Sequence, residues 1–172
     1  MIFPQHKFSL KWREIVLIIL CCIYLILGKV RPVLASIHAY PTSTNHIMYR
    51  SQQSLRDNDN TSWQLVLYKT VNFGKVETLH LRLVGFPGLA EIARREKLQI
   101  TTASDKVWEA EDVLIDASFP ANVGEYDFRE IMRKIEREMP LWLTVPLRGD
   151  RSVELVVPPF AVKEWIQLII DN

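Results

Sequence analysis

The chain has 172 residues, 48% of them hydrophobic, and a formal net charge of +1. That is enough chain to bury a sizeable core, and a near-neutral balance lacks the electrostatic footprint of a nucleic-acid binder. The only cysteines, Cys21 and Cys22, lie near the N-terminus, so the remainder has no thiol nucleophile, no Cys-ligated metal site and no disulfide.

The first element in chain order is an apolar run, Ile15 to Leu27, without a charge. Lys7, Lys11 and Arg13 precede it and Val33-Leu34-Ala35 follows. A basic start, a short apolar core and a small-x-Ala exit describe a secretory signal peptide. The run is short of the ~20 residues that span a bilayer. We therefore expect a signal peptide over 1–35 and a single α+β domain over 36–172. Cleavage after Ala39 and an uncleaved leader acting as a membrane anchor are the alternatives. The expected address is the periplasm or the thylakoid lumen. The leader holds five of the basic residues and one acid, so the remainder carries 16 Lys and Arg against 19 Asp and Glu, a formal charge of −3.

Residues 36–44 read as an irregular lead-in, since Pro41 argues against regular structure. Ile47 to Leu55 is a mostly polar strand, and Asp57-Asn58-Asp59-Asn60 is a turn by composition. Trp63 to Val71 and Val76 to Val84 alternate with period two on either side of Asn72-Phe73-Gly74-Lys75, which predicts a hairpin. Leu98 to Thr102 with Lys106 to Ala110 predicts a second hairpin, and residues 111–126 read as irregular. Asp127 opens a predicted helix as N-cap, with Glu130 three residues on as in a capping box. Phe128, Ile131, Met132, Ile135 and Met139 recur at helical spacing until Pro140. Leu141 to Leu147 and Ser152 to Val157 form a third hairpin. Phe160 to Ile170 is a last helix, with a broad apolar face that needs cover on more than one side. The expected fold is α+β: an antiparallel sheet of about six strands built from hairpins, with two helices packed on one face. A small β-barrel or sandwich capped by helices is the alternative.

Four segments carry a resemblance. They are Ala35-Ser36-Ile37-His38, Val84-Gly85-Phe86-Pro87-Gly88, Pro120-Ala121-Asn122-Val123-Gly124-Glu125-Tyr126-Asp127, and Val157-Pro158-Pro159-Phe160 with Glu164-Trp165. In combination they resemble a family of uncharacterised exported cyanobacterial proteins, a domain of unknown function. The resemblance implies an exported address and supplies no activity, cofactor or catalytic residue.

Candidate chemistry is sparse. His80 and Arg82 leave one face of a strand, and Tyr68 or Gln64 is expected across the hairpin, so His80, Arg82 and Tyr68 are a candidate anion site. A solvated polar face is the plain alternative. His38 and His46 have no partner at metal-ligand spacing. No Gly-x-Ser-x-Gly elbow and no phosphate loop occurs. Glu109, Glu111, Asp112 and Asp116 form an acidic cluster without the order of a calcium loop. Arg129, Arg133 and Arg137, four apart on the predicted helix, would form one basic ridge suited to carboxylates or lipid phosphates, although Glu130, Lys134, Glu136 and Glu138 interleave. The expected function is an exported, non-enzymatic binding or assembly module, acting at a membrane surface or on a membrane-protein complex, with no cofactor, metal or nucleic acid. A carrier of an apolar small ligand between sheet and helices is the alternative, and a hydrolase-type enzyme comes last.

Overall fold

The computed structural model describes residues 46–114 and 118–170, the strand 38–43, and helical backbone at positions 12, 15–17 and 20. The chain divides into two compact units, residues 1–34 and 35–172. The expected signal peptide and its cleavage site, Cys21 and Cys22 lie outside the described residues, apart from those few helical positions. Among the described residues no helix is long and apolar enough to cross a membrane.

Residues 35–172 fold as two antiparallel sheets. The first has five strands in the order β1-β2-β3-β4-β7: β1 (His38–Ser43), β2 (His46–Arg56), β3 (Ser62–Asn72), β4 (Lys75–Val84) and β7 (Val123–Asp127). The second has four in the order β6-β5-β8-β9: β5 (Leu98–Thr102), β6 (Val107–Ala110), β8 (Leu141–Leu147) and β9 (Arg151–Val157). The alternation that predicts the hairpins also sets their faces. Leu65 pairs with Leu83, and Leu67 with Leu81. Leu143 pairs with Leu155 in the second sheet. These six leucines are fully or almost fully buried, and they belong to one core shared by both sheets and the C-terminal helix.

The turns follow local chemistry. Phe73 and Gly74 both have positive φ (47° and 74°) between β3 and β4, as a two-residue hairpin loop with right-handed twist requires. The Asp57 carboxylate accepts from the backbone N–H of Asp59 and Thr61 and from Trp63 Nε1, at 2.8–3.0 Å. It thereby holds the β2–β3 turn and the first core aromatic together.

Four expectations need correction. The six-strand sheet is nine strands in two sheets, without a closed barrel. The irregular lead-in contains β1, where Pro41 sits in an outermost strand beside a register shift between Pro41 and Ser43, the place where a missing N–H is tolerated. The irregular stretch before Asp127 contains β7, which pairs with β4. The helix from Asp127 to Met139 shrinks to α1 (Arg129–Lys134), with Phe128 as N-cap and Ile135 extended (φ −87°, ψ 103°). Pro140 accounts for the absence of the last predicted turn. In a continued helix the carbonyl of Glu136 would need the N–H that Pro140 lacks, and Met139, before a proline, is biased away from helix.

Helix α2 (Pro159–Ile170) contacts β2. Its Ala161, Val162, Trp165 and Leu168 are fully buried, and the Trp165 ring meets Phe128 edge-on with centroids 5.8 Å apart. Cover on more than one side does not follow, because Phe160 and Ile170 stand exposed on the same helix.

Candidate functional site

The register of β3, β4 and β7 assembles a polar cluster on the outer face of the five-stranded sheet. Tyr68 stands opposite His80, and Arg82 opposite Glu125. One Glu125 oxygen accepts from the Tyr68 hydroxyl and from His80 Nδ1, the latter at 2.9 Å. The other accepts from Arg82 Nε and Nη2 at 2.9 and 2.7 Å. The Arg82 guanidinium also lies 5.4 Å from the centre of the Tyr68 ring. Burial alone would raise the Glu125 carboxyl, but hydrogen bonds from His80, Tyr68 and Arg82, with the Arg82 charge, hold it down at about 2. Burial, then the hydrogen bond to the Glu125 carboxylate and its charge, push the Tyr68 hydroxyl up. The candidate anion site His80, Arg82 and Tyr68 is thus brought together around the chain's own carboxylate. Glu125 is 7% exposed, and the cluster locks β7 to β4 and β3.

The basic ridge does not form. Arg129 clasps Asp127 through Nε at 3.1 Å and through Nη2, and this contact, above a small burial effect, lowers the Asp127 carboxyl. Arg133 pairs with Glu130 one turn away. Arg137 lies beyond the helix end and lines a surface cleft of about 570 Å³ with Thr102, Ser104, Lys106, Trp108, Lys134 and Met139, among others. The acidic cluster is dispersed too. Glu109 and Glu111 both pair with Lys97, at 3.1 and 2.9 Å. Asp112 accepts from the backbone N–H of Arg95 and Leu114, and Asp116 lies outside the described residues. No group of His, Cys, Asp and Glu among the described residues could hold a metal ion.

The segments Val84–Gly88 and Pro120–Asp127 interlock. The Gly85 N–H donates to the Asn122 carbonyl (2.9 Å), and the Asn122 side-chain amide donates back to the Gly85 carbonyl (2.7 Å). A Cβ on Gly85 would meet Ala90 Cβ at 2.5 Å and the Trp63 ring at 2.9 Å, so glycine is needed for close approach. Arg94 holds the second segment through the carbonyls of Val123 (2.7 Å) and Pro120 (3.0 Å). Tyr126 is fully buried. The tip of the first loop is not: Phe86 is 54% and Leu89 64% exposed, and Phe119 next to the second segment is 38% exposed.

A model of the family described as "Protein of unknown function (DUF3122)" matches residues 35–168. The chain belongs to that family. No significant match was found among curated proteins or among solved structures. In this DUF3122 member the three described segments that carried the resemblance serve mainly as structure, through the Gly85–Asn122 interlock, the Glu125 lock and the buried Tyr126 and Trp165.

Sequence reasoning missed Glu125 as the partner of His80, Arg82 and Tyr68, and it missed the grouping of Arg137 with Trp108. Period-two alternation over Val123–Asp127 was a signal for β7. Its pairing with β4 is long-range and had none. The exposed Phe86 and Leu89 were legible only as members of a turn.

Proposed function

We propose that this DUF3122 member is an exported, non-catalytic binding module that docks on an anionic membrane surface through the Gly85–Leu89 loop. One surface supports this role: the exposed Phe86 and Leu89, with Arg94 and Arg151, which make no ion pair among the described residues. Arg94 is held by backbone carbonyls, and Arg151 reaches the Arg148 carbonyl at 3.4 Å. Arg151 and Leu89 line one cleft of about 330 Å³ with Leu147. Of the nearby acids, Glu91 is engaged by Arg148 at 3.4 Å and Asp57 by the β2–β3 turn, while Asp59 also lines the Arg151 cleft. Apolar side chains set among basic ones suit an interface of acyl chains and anionic headgroups, and exposed apolar patches generally mark interaction sites. The leader composition is what supports an exported address.

The test is co-sedimentation of residues 36–172, the form the expected cleavage releases, with phosphatidylglycerol and with phosphatidylcholine vesicles. Binding should favour the anionic vesicles and weaken with salt. Changing Phe86 and Leu89 to Ser should cut it several-fold without lowering the melting temperature, because both side chains are exposed. Unchanged binding by that variant would leave a partner protein, rather than lipid, as the target of this face.

A further inference from the structure

A second feature shares no residue with that loop. The 570 Å³ cleft lies between the β5–β6 turn and the extended segment that follows α1. Its apolar floor is Trp108 and Met139, both partly buried against the core. Lys106, Lys134 and Arg137 surround it, opposed by Glu136 alone. None of these three cations makes an ion pair among the described residues, whereas Lys97, Arg129, Arg133 and Lys163 are each matched to a carboxylate. Lys134 Nζ instead sits 5.9 Å from the centre of the Trp108 ring. Thr102 and Ser104 add hydroxyls 3.1 Å apart at the rim. The early end of α1 produces the arrangement: with Ile135 extended, Arg137 departs from the row of Arg129 and Arg133 and turns to the cleft.

We infer that this cleft binds a small molecule with a phosphate group attached to a flat or apolar body. Three unpaired cations against one acid call for a ligand group with more than one negative charge, and the guanidinium fork of Arg137 matches phosphate geometry. The volume exceeds what a bare anion fills and falls in the range of small-molecule sites, roughly 300–1,000 Å³. The partly buried Trp108 ring, beside Lys134 Nζ, provides apolar contact for the remainder.

Phenyl phosphate, inorganic phosphate and phenol serve as probes, titrated into the full-length protein at constant ionic strength. The Trp108 indole N–H resonance is the readout. Phenyl phosphate should bind saturably and several-fold more tightly than inorganic phosphate, and phenol should give no saturable response. The double variant Lys134→Gln with Arg137→Gln should weaken phenyl phosphate at least tenfold while keeping the parent's melting temperature, since both side chains are exposed. Phosphatidylglycerol vesicles added last, to protein carrying Phe86→Ser and Leu89→Ser so that the loop does not hold it to the membrane, identify the source: displacement makes a lipid headgroup the occupant, and retention makes it a soluble phosphate. A non-saturating response, equal binding by the double variant, or phenol binding as well as phenyl phosphate overturns the inference. None of these results bears on vesicle binding through Phe86 and Leu89.

Discussion

Glu125 shows how much one side chain can hold. Its carboxylate joins three donors from two neighbouring strands, and removing the charge leaves Arg82 facing a neutral group. Glu125→Gln should cost on the order of 3 kcal/mol at neutral pH, read from urea unfolding, given ~1.4 kcal/mol for each pH unit between the two carboxyl pKa values. The direction with pH follows from the depressed value. The stabilisation is fully present above the unfolded carboxyl pKa of about 4.5 and is lost as pH falls through the folded value of about 2. The parent should therefore lose stability between those limits, and the variant should show a flatter acid limb. Parallel acid limbs would mean that other carboxylates carry the effect. Arg129 and Arg133 behave differently. Their ion pairs are exposed, and such pairs contribute about 0–1 kcal/mol. Changing Arg129, Arg133 and Arg137 together to Gln should leave the fold and the melting curve close to the parent's.

Among the elements, α2 contributes most visibly to the core. Four of its side chains are fully buried, and Trp165 reaches across to Phe128, which precedes α1. Trp165→Ala removes a large aromatic from a filled site and should cost about 3–5 kcal/mol. That is a large share of the 5–15 kcal/mol typical of a whole domain, so the variant should melt far below the parent or fail to fold. A Phe160→Ser variant is the control on the same helix. Phe160 is exposed, and its loss should leave the melting temperature nearly unchanged. The two variants separate a packed face from an outer one on a helix whose composition alone makes it look apolar almost all round. The short α1 has the opposite character. It buries Ile131 and Met132, and its pattern continues past Lys134, yet the chain leaves the helix at Ile135.

At the scale of the molecule, residues 36–172 contain no cysteine, so their cohesion rests on the core common to both sheets and α2. Their melting temperature should be the same with and without reductant, measured side by side in one buffer. If export proceeds as proposed, N-terminal sequencing of the purified protein should read from Ser36, with Tyr40 as the second choice. An intact leader in the membrane fraction would identify an anchor instead.

Local pattern was enough for the paired strands around short turns. Alternation in Trp63–Val71 and Val76–Val84 set both the hairpin and its buried face, because neighbours in sequence are there neighbours in space. It was enough, too, to put Tyr68, His80 and Arg82 on one face. It could not supply the pairing of β7 with β4, which joins residues about forty positions apart, and so it could not show that Glu125 already occupies the anion position those three side chains create. Nor could it separate one sheet from two, since strand order across β5, β8 and β9 depends on long-range pairing. The basic ridge failed for a related reason. Four-residue spacing places arginines in a row only while the helix lasts, and it ends at Lys134, before Arg137. The grouping of Arg137 with Lys106, Lys134 and Trp108 is a property of the folded chain alone, because it takes the packing of α1 beside β6 to bring those side chains to one cleft.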